Sequence, residues 1–340
     1  MTAVPAPTEA RDAAHRLSTY VNGTHAGVRR SHRRVTCAMV VEALDSVLVS
    51  EDTGGRLLSL GREPWVPHGD PERKLRDALA GHLSTDGVVD LVLYGSIARH
   101  ATTGFSDVDA ILVVADDAAR DRRRLRVLRS RILAAERAVL AYQPMQHHGF
   151  LAVTPILLRN ASAALGLPAE ALATTSSLFG RQTNATCEGV DGVEERFDAL
   201  ARSIRATTSW PEHPWELHRS VAMFELAPVL YMQASGRPCA KHQSFRLARE
   251  EFQEEWQPYD VLSEVRRRWP REPRPALALM ASAVRNPWAA VAMWRRFSAA
   301  VPGEAAGLLG DDCLHGLQDL VASMVERLRI KPAHREQPRV

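Results

Sequence analysis

The stretch that most constrains this 340-residue chain runs from Leu91 to Val114, Leu-Val-Leu-Tyr-Gly-Ser-Ile-Ala-Arg-His-Ala-Thr-Thr-Gly-Phe-Ser-Asp-Val-Asp-Ala-Ile-Leu-Val-Val. One apolar run breaks at Gly95-Ser96, and a second opens on Asp107 and Asp109. Side chains alternate across a strand, so Asp107 and Asp109 share one side while Val108 and Ala110 share the other. Two carboxylates repel in a partly desolvated cleft, so such a pair shares a proton or holds a divalent cation. With no other acid in that strand it reads as a Mg²⁺ site. Gly95 lets the backbone approach a ligand closely and Ser96 offers a hydroxyl and an N–H. Ile97 to Arg99 can open a helix whose first amides favour phosphate. Ten residues separate Ser96 from Asp107, room for a short helix and a return loop through Thr102, Thr103 and Gly104. The stretch predicts one strand, helix, strand unit in which a phosphate cradle faces a metal-binding pair.

Gly-Ser, ten residues, then Asp-Val-Asp between apolar flanks resembles the signature of the DNA polymerase β type nucleotidyltransferase superfamily. Gly95-Ser96-Ile97-Ala98-Arg99 is similar to its small bacterial members. The likeness is strong over Leu91 to Val114 and extends in outline from Lys74 to Leu157. It implies that Ser96 holds the terminal phosphates of a nucleoside triphosphate. Asp107 and Asp109 would carry Mg²⁺, two ions in all, that neutralises the triphosphate and orients the α-phosphorus for in-line attack. Pyrophosphate would leave. Arg99, one helical turn beyond Ser96, either steadies a phosphate or pairs with a nearby carboxylate to fix the helix.

The chain departs from the family pattern where many members carry a third carboxylate on a following strand. Asp116, Asp117 and Asp121 fall at a strand end and helix start, Glu136 on a basic helix, and the next acid is Glu170. The corresponding apolar segment reads Gln143-Pro-Met-Gln146-His147-His148-Gly-Phe-Leu-Ala-Val153. A neutral imidazole can serve as a general base near pH 7, or as a metal ligand that Mg²⁺ accepts reluctantly. His148 or His147 is therefore the candidate replacement, against the alternative of an ordinary hydrogen-bonded core histidine.

Composition bounds the rest. The length allows two domains, and 45% apolar residues supports real cores. The net charge is only +3. Forty arginines stand against three lysines, Lys74, Lys241 and Lys331, a bias that fits GC-rich coding. The Arg122 to Arg131 cluster accordingly reads as the solvated face of a helix from about Asp117 to Ala141. Leu125, Leu128, Ile132 and Val139 would turn toward the sheet, and a phosphate-binding stripe for RNA is the alternative. Cys37, Cys187, Cys239 and Cys313 have no zinc or disulfide spacing. No signal segment opens the sequence and no run is long enough to span a membrane, which predicts a cytoplasmic protein without membrane partners.

The fold class expected is α+β, a small mixed-sheet nucleotidyltransferase domain over 71–160. A helical extension over 1–70 would precede it and a helical bundle over 161–340 would follow. The extension carries helical patterns near Glu9 to Val21 and Arg33 to Val49, then a Gly/Pro-punctuated connection from Thr53 to Pro71. Strands are expected near Val88 to Tyr94, Val108 to Val114 and Met145 to Val153, and none beyond Pro155. In the second half Val193, Phe197, Leu200 and Ile204 recur at helical spacing, as do Leu314, Leu317, Val321, Met324 and Leu328. Leu217 to Ala234, Ala276 to Val284 and Pro287 to Ala300 complete the bundle.

A helix ending at Gly236 leads into a basic loop, Arg237-Pro-Cys-Ala-Lys241-His-Gln-Ser244-Phe-Arg246, with Gly236 as a left-handed cap. Related two-domain nucleotidyltransferases set a basic residue of the helical domain on the triphosphate, so Lys241 and Ser244 are candidates. The alternative is an incidental charge on an exposed loop. The reading is a Mg²⁺-dependent enzyme that moves a nucleoside monophosphate from a nucleoside triphosphate to a hydroxyl or amine, with a small molecule as first choice of acceptor and protein or RNA as second. The competing reading is a nucleotide-binding regulatory or antitoxin-like protein that lost turnover.

Overall fold

The structure is a computed structural model that describes residues 16–17, 56–61, 63–146, 148–160, 172, 174–187, 192–269, 281, 283–284, 286–291 and 307–330. The expected helices near Glu9 to Val21 and Arg33 to Val49 lie outside these residues apart from Arg16 and Leu17. Those over Ala276 to Val284 and Pro287 to Ala300 are described only in part. The chain is α+β and divides into two units. The first takes the described residues up to Thr102, from Ser106 to Gly189 and within Arg271–Phe297. The second takes Thr103–Phe105 with those within Val190–Pro270 and Ser298–Val340.

The first unit holds β1 (Arg56–Leu60), β2 (Glu63–Pro64), α1 (Asp70–Leu83), β3 (Val88–Tyr94), α2 (Gly95–Ala98), β4 (Asp109–Val114), α3 (Asp116–Arg120) and α4 (Arg122–Tyr142). It continues with β5 (Leu151–Val153), α5 (Pro155–Asn160), β6 (Ser176–Ser177) and β7 (Thr183–Cys187). Its main sheet is mixed, in the order β2-β6-β3-β4-β5, and β1 pairs with β7 in a separate antiparallel ribbon. β3 and β4 are antiparallel, with Tyr94 opposite Asp109 and Leu93 opposite Ala110. β4 runs parallel to β5. Leu91, Val92, Leu93, Ile111, Leu112 and Val113 are fully buried, which fits two central strands covered on both faces.

Three expectations are corrected here. The connection over Thr53 to Pro71 contains β1 and β2, and the region beyond Pro155 contains β6 and β7, so 71–160 is too narrow for the sheet-bearing unit. The strand expected from Met145 is confined to Leu151–Val153, because Pro144 and Met145 form a turn. The basic helix starts anew at Arg122: α3 ends at Arg120, and the Asp121 carboxylate accepts the N–H groups of Arg123 at 2.7 Å and Arg124 at 3.4 Å as its cap. β6 is held by polar contacts rather than by apolar packing. Ser176-Ser177 offers no apolar drive, yet buried Asp90 of β3 accepts the Ser177 hydroxyl, the Leu91 N–H at 2.8 Å and the Phe179 N–H at 3.2 Å. Burial holds the Asp90 carboxyl above its ordinary range, against the pull of those hydrogen bonds.

α1 and α4 pack on one another and into the core. α1 buries Leu75, Leu79 and Leu83 at fourfold spacing, and α4 buries Leu125, Leu128, Ile132 and Val139 as expected. Glu136 is buried beside them, accepting the Phe150 N–H at 3.2 Å and the Trp288 indole N–H at 2.7 Å.

The second unit is helical, with α6 (Val193–Arg205), α7 (Pro214–Ala234), α8 (Lys241–Phe252), α9 (Gln257–Arg268) and α10 (Asp311–Ile330). The predicted stripes are its core: Phe197 and Ile204 on α6 and Leu314, Leu317, Val321 and Met324 on α10 are buried. Trp215, Trp256 and Trp269 are buried as packing residues. α7 ends as predicted: Gly236 has φ +76°, the Arg237 N–H reaches the Met232 carbonyl at 2.9 Å and the Gly236 N–H reaches that of Gln233 at 3.0 Å. No helix among the described residues is long and apolar enough to cross a membrane.

Candidate functional site

The site forms where β3 ends and β4 begins. Gly95 adopts φ +69°, a left-handed conformation that favours glycine, and turns the chain sharply out of β3. Its Cα faces the Asp109 carboxylate so closely that a Cβ at this position would stand 2.6 Å from Asp109 Oδ2. Glycine is therefore required twice, by the backbone angle and by the acid packed over it. α2 is a single turn of four residues, shorter than the expected helix, so its aligned dipole is small and any phosphate binding there rests on individual N–H and hydroxyl groups. Ser96 is half-buried, and its carbonyl accepts the Ala101 N–H at 2.9 Å. Arg99 folds back on the turn, Nε donating to the Gly95 carbonyl at 3.1 Å. That contact fixes the helical turn through a carbonyl.

β4 starts at Asp109, one residue later than expected, which leaves Asp107 on the incoming loop. The charges of Asp107 and Asp109 both reach Tyr94 and His148. Burial, then the negative charges of Asp109 and Asp107, push the Tyr94 phenol far above its ordinary pKa. The two acids act together on His148 as well. His148 Nε2 lies 3.3 Å from Asp109 Oδ1 and Nδ1 lies 3.1 Å from the Gly149 carbonyl. Both ring nitrogens thus face acceptors, a geometry that calls for both protons. Burial pushes the His148 pKa down, but the hydrogen bond to Asp109 and the charges of Asp107 and Asp109 outweigh it and push it up to about 9. So protonated, His148 is a cation beside the acidic pair in the metal-free protein. His147 lies outside the described residues.

In metal-free protein held in EDTA, the His148 ring is expected to titrate near pH 9 by NMR, and Asp109→Asn is expected to bring it back toward 6.5. The folded pKa exceeds the unfolded one, so the stability this ring contributes is complete below about pH 6.5 and lost as pH rises through about 9. A His148 resonance that titrates below 7 in the wild type would remove the pairing with Asp109.

Sequence reasoning missed the residue that positions the pair. Gln146 is 1% exposed, and its side-chain amide grips Val108, which stands between the two aspartates. Oε1 accepts the Val108 N–H at 2.7 Å, while Nε2 donates to the Val108 carbonyl at 3.2 Å and to the His148 carbonyl at 2.7 Å. The amide acts as one extra rung of a β ladder beside the loop that carries Asp107. Gln143, three residues earlier, donates to the Ser106 carbonyl. The visible signal was a Gln-x-x-Gln pair in an apolar segment, since a buried amide must find both donor and acceptor partners.

Gln146→Ala leaves a buried N–H and two carbonyls without these partners and is expected to destabilise the protein by about 3 kcal/mol. A fall in melting temperature of about 6–12 °C by calorimetry would register that loss. A shift within about 2 °C of wild type would show that the clamp contributes nothing to folding.

Gly95, Ser96, Arg99, Asp107, Asp109 and His148 belong to the first unit, whereas Lys241 and Ser244 belong to the second. The basic loop expected around them is helical from Lys241 onward. Ser244 is fully buried, its hydroxyl 3.3 Å from both the Ala240 carbonyl and Cys239 Sγ, so it secures the first turn of α8 and is closed to a triphosphate. Lys241 Nζ donates to buried Glu225 at 2.9 Å, and Arg266 reaches the other oxygen of the same carboxylate at 2.7 Å. Burial pushes the Glu225 carboxyl up, but the two cations outweigh it and hold it below its usual range. The expected ammonium therefore has a structural partner. Cys239 and Cys313 are free thiols.

Mg²⁺ usually binds through one or two carboxylates together with substrate phosphates, and two aspartates with nearby hydroxyl and amide groups fit that pattern. Among the described residues no group of three or more His, Cys, Asp and Glu side chains could hold a metal ion on its own. No protein-family model and no curated protein matches the chain, so the functional reading rests on this geometry and on the motif resemblance.

Proposed function

We propose that this chain is a Mg²⁺-dependent nucleotidyltransferase of the DNA polymerase β type, transferring a nucleoside monophosphate from a nucleoside triphosphate to a hydroxyl or amine and releasing pyrophosphate. The observation that carries the reading is the Asp109 carboxylate set directly over the left-handed Gly95 turn, where a Cβ would stand 2.6 Å from Oδ2. A carboxylate kept that near a backbone that offers Ser96 supports a reading in which metal-binding and phosphate-binding groups would act side by side. Asp107 and Asp109 would hold Mg²⁺ with the triphosphate, and the bound ion would supply charge neutralisation on the phosphates. Ser96 would hold the terminal phosphates through its hydroxyl and N–H, and Arg99 would keep the turn in shape through the Gly95 carbonyl. Gln146 would keep the two aspartates at a constant spacing. A small-molecule acceptor remains the first choice, with protein or RNA second.

One observation favours the second reading, a nucleotide-binding regulatory or antitoxin-like protein. His148 covers Asp109 where a third carboxylate is expected, and both ring nitrogens face acceptors. The discriminating measurement is pyrophosphate release from ATP, GTP, CTP and UTP with Mg²⁺ and a broad acceptor mixture. Release identifies the donor and supports transfer. Mg²⁺-dependent triphosphate binding with no release from any donor favours the regulatory reading.

A further inference from the structure

α4 carries the most uneven charge in the molecule. It contains seven arginines and one glutamate, a net +6 over 21 residues, against +3 for the whole chain, so all other residues together carry −3. The arginine bias of the sequence explains arginine in place of lysine. It does not explain why the charge collects on one helix.

The arginines divide by their partners. Arg124 pairs with Asp86 at 2.9 Å and Asp117 at 2.7 Å, and Arg137 donates to the carbonyls of Ala281 at 3.0 Å and Val284 at 2.9 Å. Arg122, Arg123, Arg126, Arg129 and Arg131 are exposed, and no carboxylate pairs with them among the described residues. The only acid on the helix, Glu136, is buried and spent on Phe150 and Trp288.

Arg122, Arg126 and Arg129 recur at i, i+4 and i+7, which puts them on one flank of the helix. Arg126 and Arg129 line a shallow groove there with Ser130, Leu133 and Arg137. This arrangement works against the stability of α4. Like charges three and four residues apart repel, and Arg122 and Arg123 sit in the first turn, where the helix dipole is already positive. A surface selected for folding alone would place acids there.

We infer that the Arg122–Arg126–Arg129 flank of α4 is a binding surface for the phosphate backbone of a polynucleotide. At 1.5 Å rise per residue the three guanidinium groups span about 10 Å of helix axis, a length over which one strand of a duplex presents about three phosphates. Guanidinium groups match phosphate oxygens in charge and in bidentate geometry. A lipid surface fits less well. Amphipathic helices enter membranes by their apolar face, and that face of α4, with Leu125, Leu128 and Ile132, is buried in the core, leaving Val127 as its exposed large apolar side chain. The inference is read by binding alone and stands whether or not the chain transfers nucleotides.

The test is fluorescence anisotropy of the full chain with a labelled 20-nucleotide single-stranded RNA and a labelled 20-base-pair DNA duplex of mixed sequence, between 50 and 200 mM KCl. Three phosphate contacts predict that Arg122→Gln/Arg126→Gln/Arg129→Gln weakens binding at least about 20-fold at 50 mM KCl and lowers the salt slope by about 3. The corresponding triple Arg→Lys variant keeps the charge and is expected to retain most of the affinity with an unchanged slope. Circular dichroism of both variants shows whether α4 is folded. Whichever probe binds more tightly identifies the strand form. Absence of binding to both probes, equal binding by wild type and the Gln variant, or binding to an acidic protein or anionic vesicles but not to either polynucleotide would overturn the inference.

Discussion

Asp109→Asn is expected to lower pyrophosphate release by at least about 10³-fold, or about 4 kcal/mol of transition-state stabilisation, with the fold intact. Asparagine keeps the shape of the carboxylate over Gly95, so the close packing of the turn survives while the negative charge is removed. The same change weakens the hold on the His148 proton and relieves the Tyr94 phenol, whose pKa is raised by burial and then by the charges of Asp109 and Asp107. Asp107→Asn is expected to cost a similar factor. The double variant should cost little more than either single one, because the two acids serve as one unit. Release that persists at wild-type rate in both single variants would sink the nucleotidyl-transfer reading.

Gly95→Ala is the second large effect, and it separates geometry from charge. Alanine at φ +69° costs about 1–2 kcal/mol on backbone grounds alone. Its methyl group would also stand 2.6 Å from Asp109 Oδ2, so either the carboxylate or the turn must move. The expected result is a melting temperature lower by about 3–8 °C and pyrophosphate release lower by about 10²-fold, since a displacement near 1 Å in a reacting constellation costs that much. Gly180→Ala is the internal control. Gly180 has φ +70°, but a Cβ there would meet nothing within 4 Å, so the substitution should lower stability by the backbone cost and leave release unchanged. Equal effects of the two substitutions would show that the approach of Asp109 to Gly95 has no functional weight.

Some of this architecture could be read from local pattern. The apolar runs on either side of Gly95-Ser96 and Asp107-Val-Asp109 became β3 and β4. The threefold and fourfold spacings around Phe197 and Leu317 became buried helix faces, and Gly236 became the left-handed end of α7. These features answer to forces that act within a few residues, namely side-chain periodicity and the steric freedom of glycine. The sheet was legible only at its centre. β6 is two serines held by Asp90 from 87 residues away, and β2 is a two-residue strand at the edge, so neither has a periodicity to detect.

The candidate site divides in the same way. Its acidic pair and its glycine turn follow from spacing and His148 from the third carboxylate that the family resemblance leads one to expect, whereas Gln146 does not, because an amide reveals its role only through the backbone it meets, here Val108, 38 residues distant in sequence. Lys241 shows the opposite case: chemistry suited to a triphosphate was visible, but the buried carboxylate of Glu225 that claims it was not. The sequence by itself determined the central strands, the helical periodicities and the kinds of group gathered near Gly95. The tertiary structure alone decided which polar groups are spent on one another, because a buried donor or acceptor must find a partner and that partner is set by the packing of distant segments, not by neighbours along the chain.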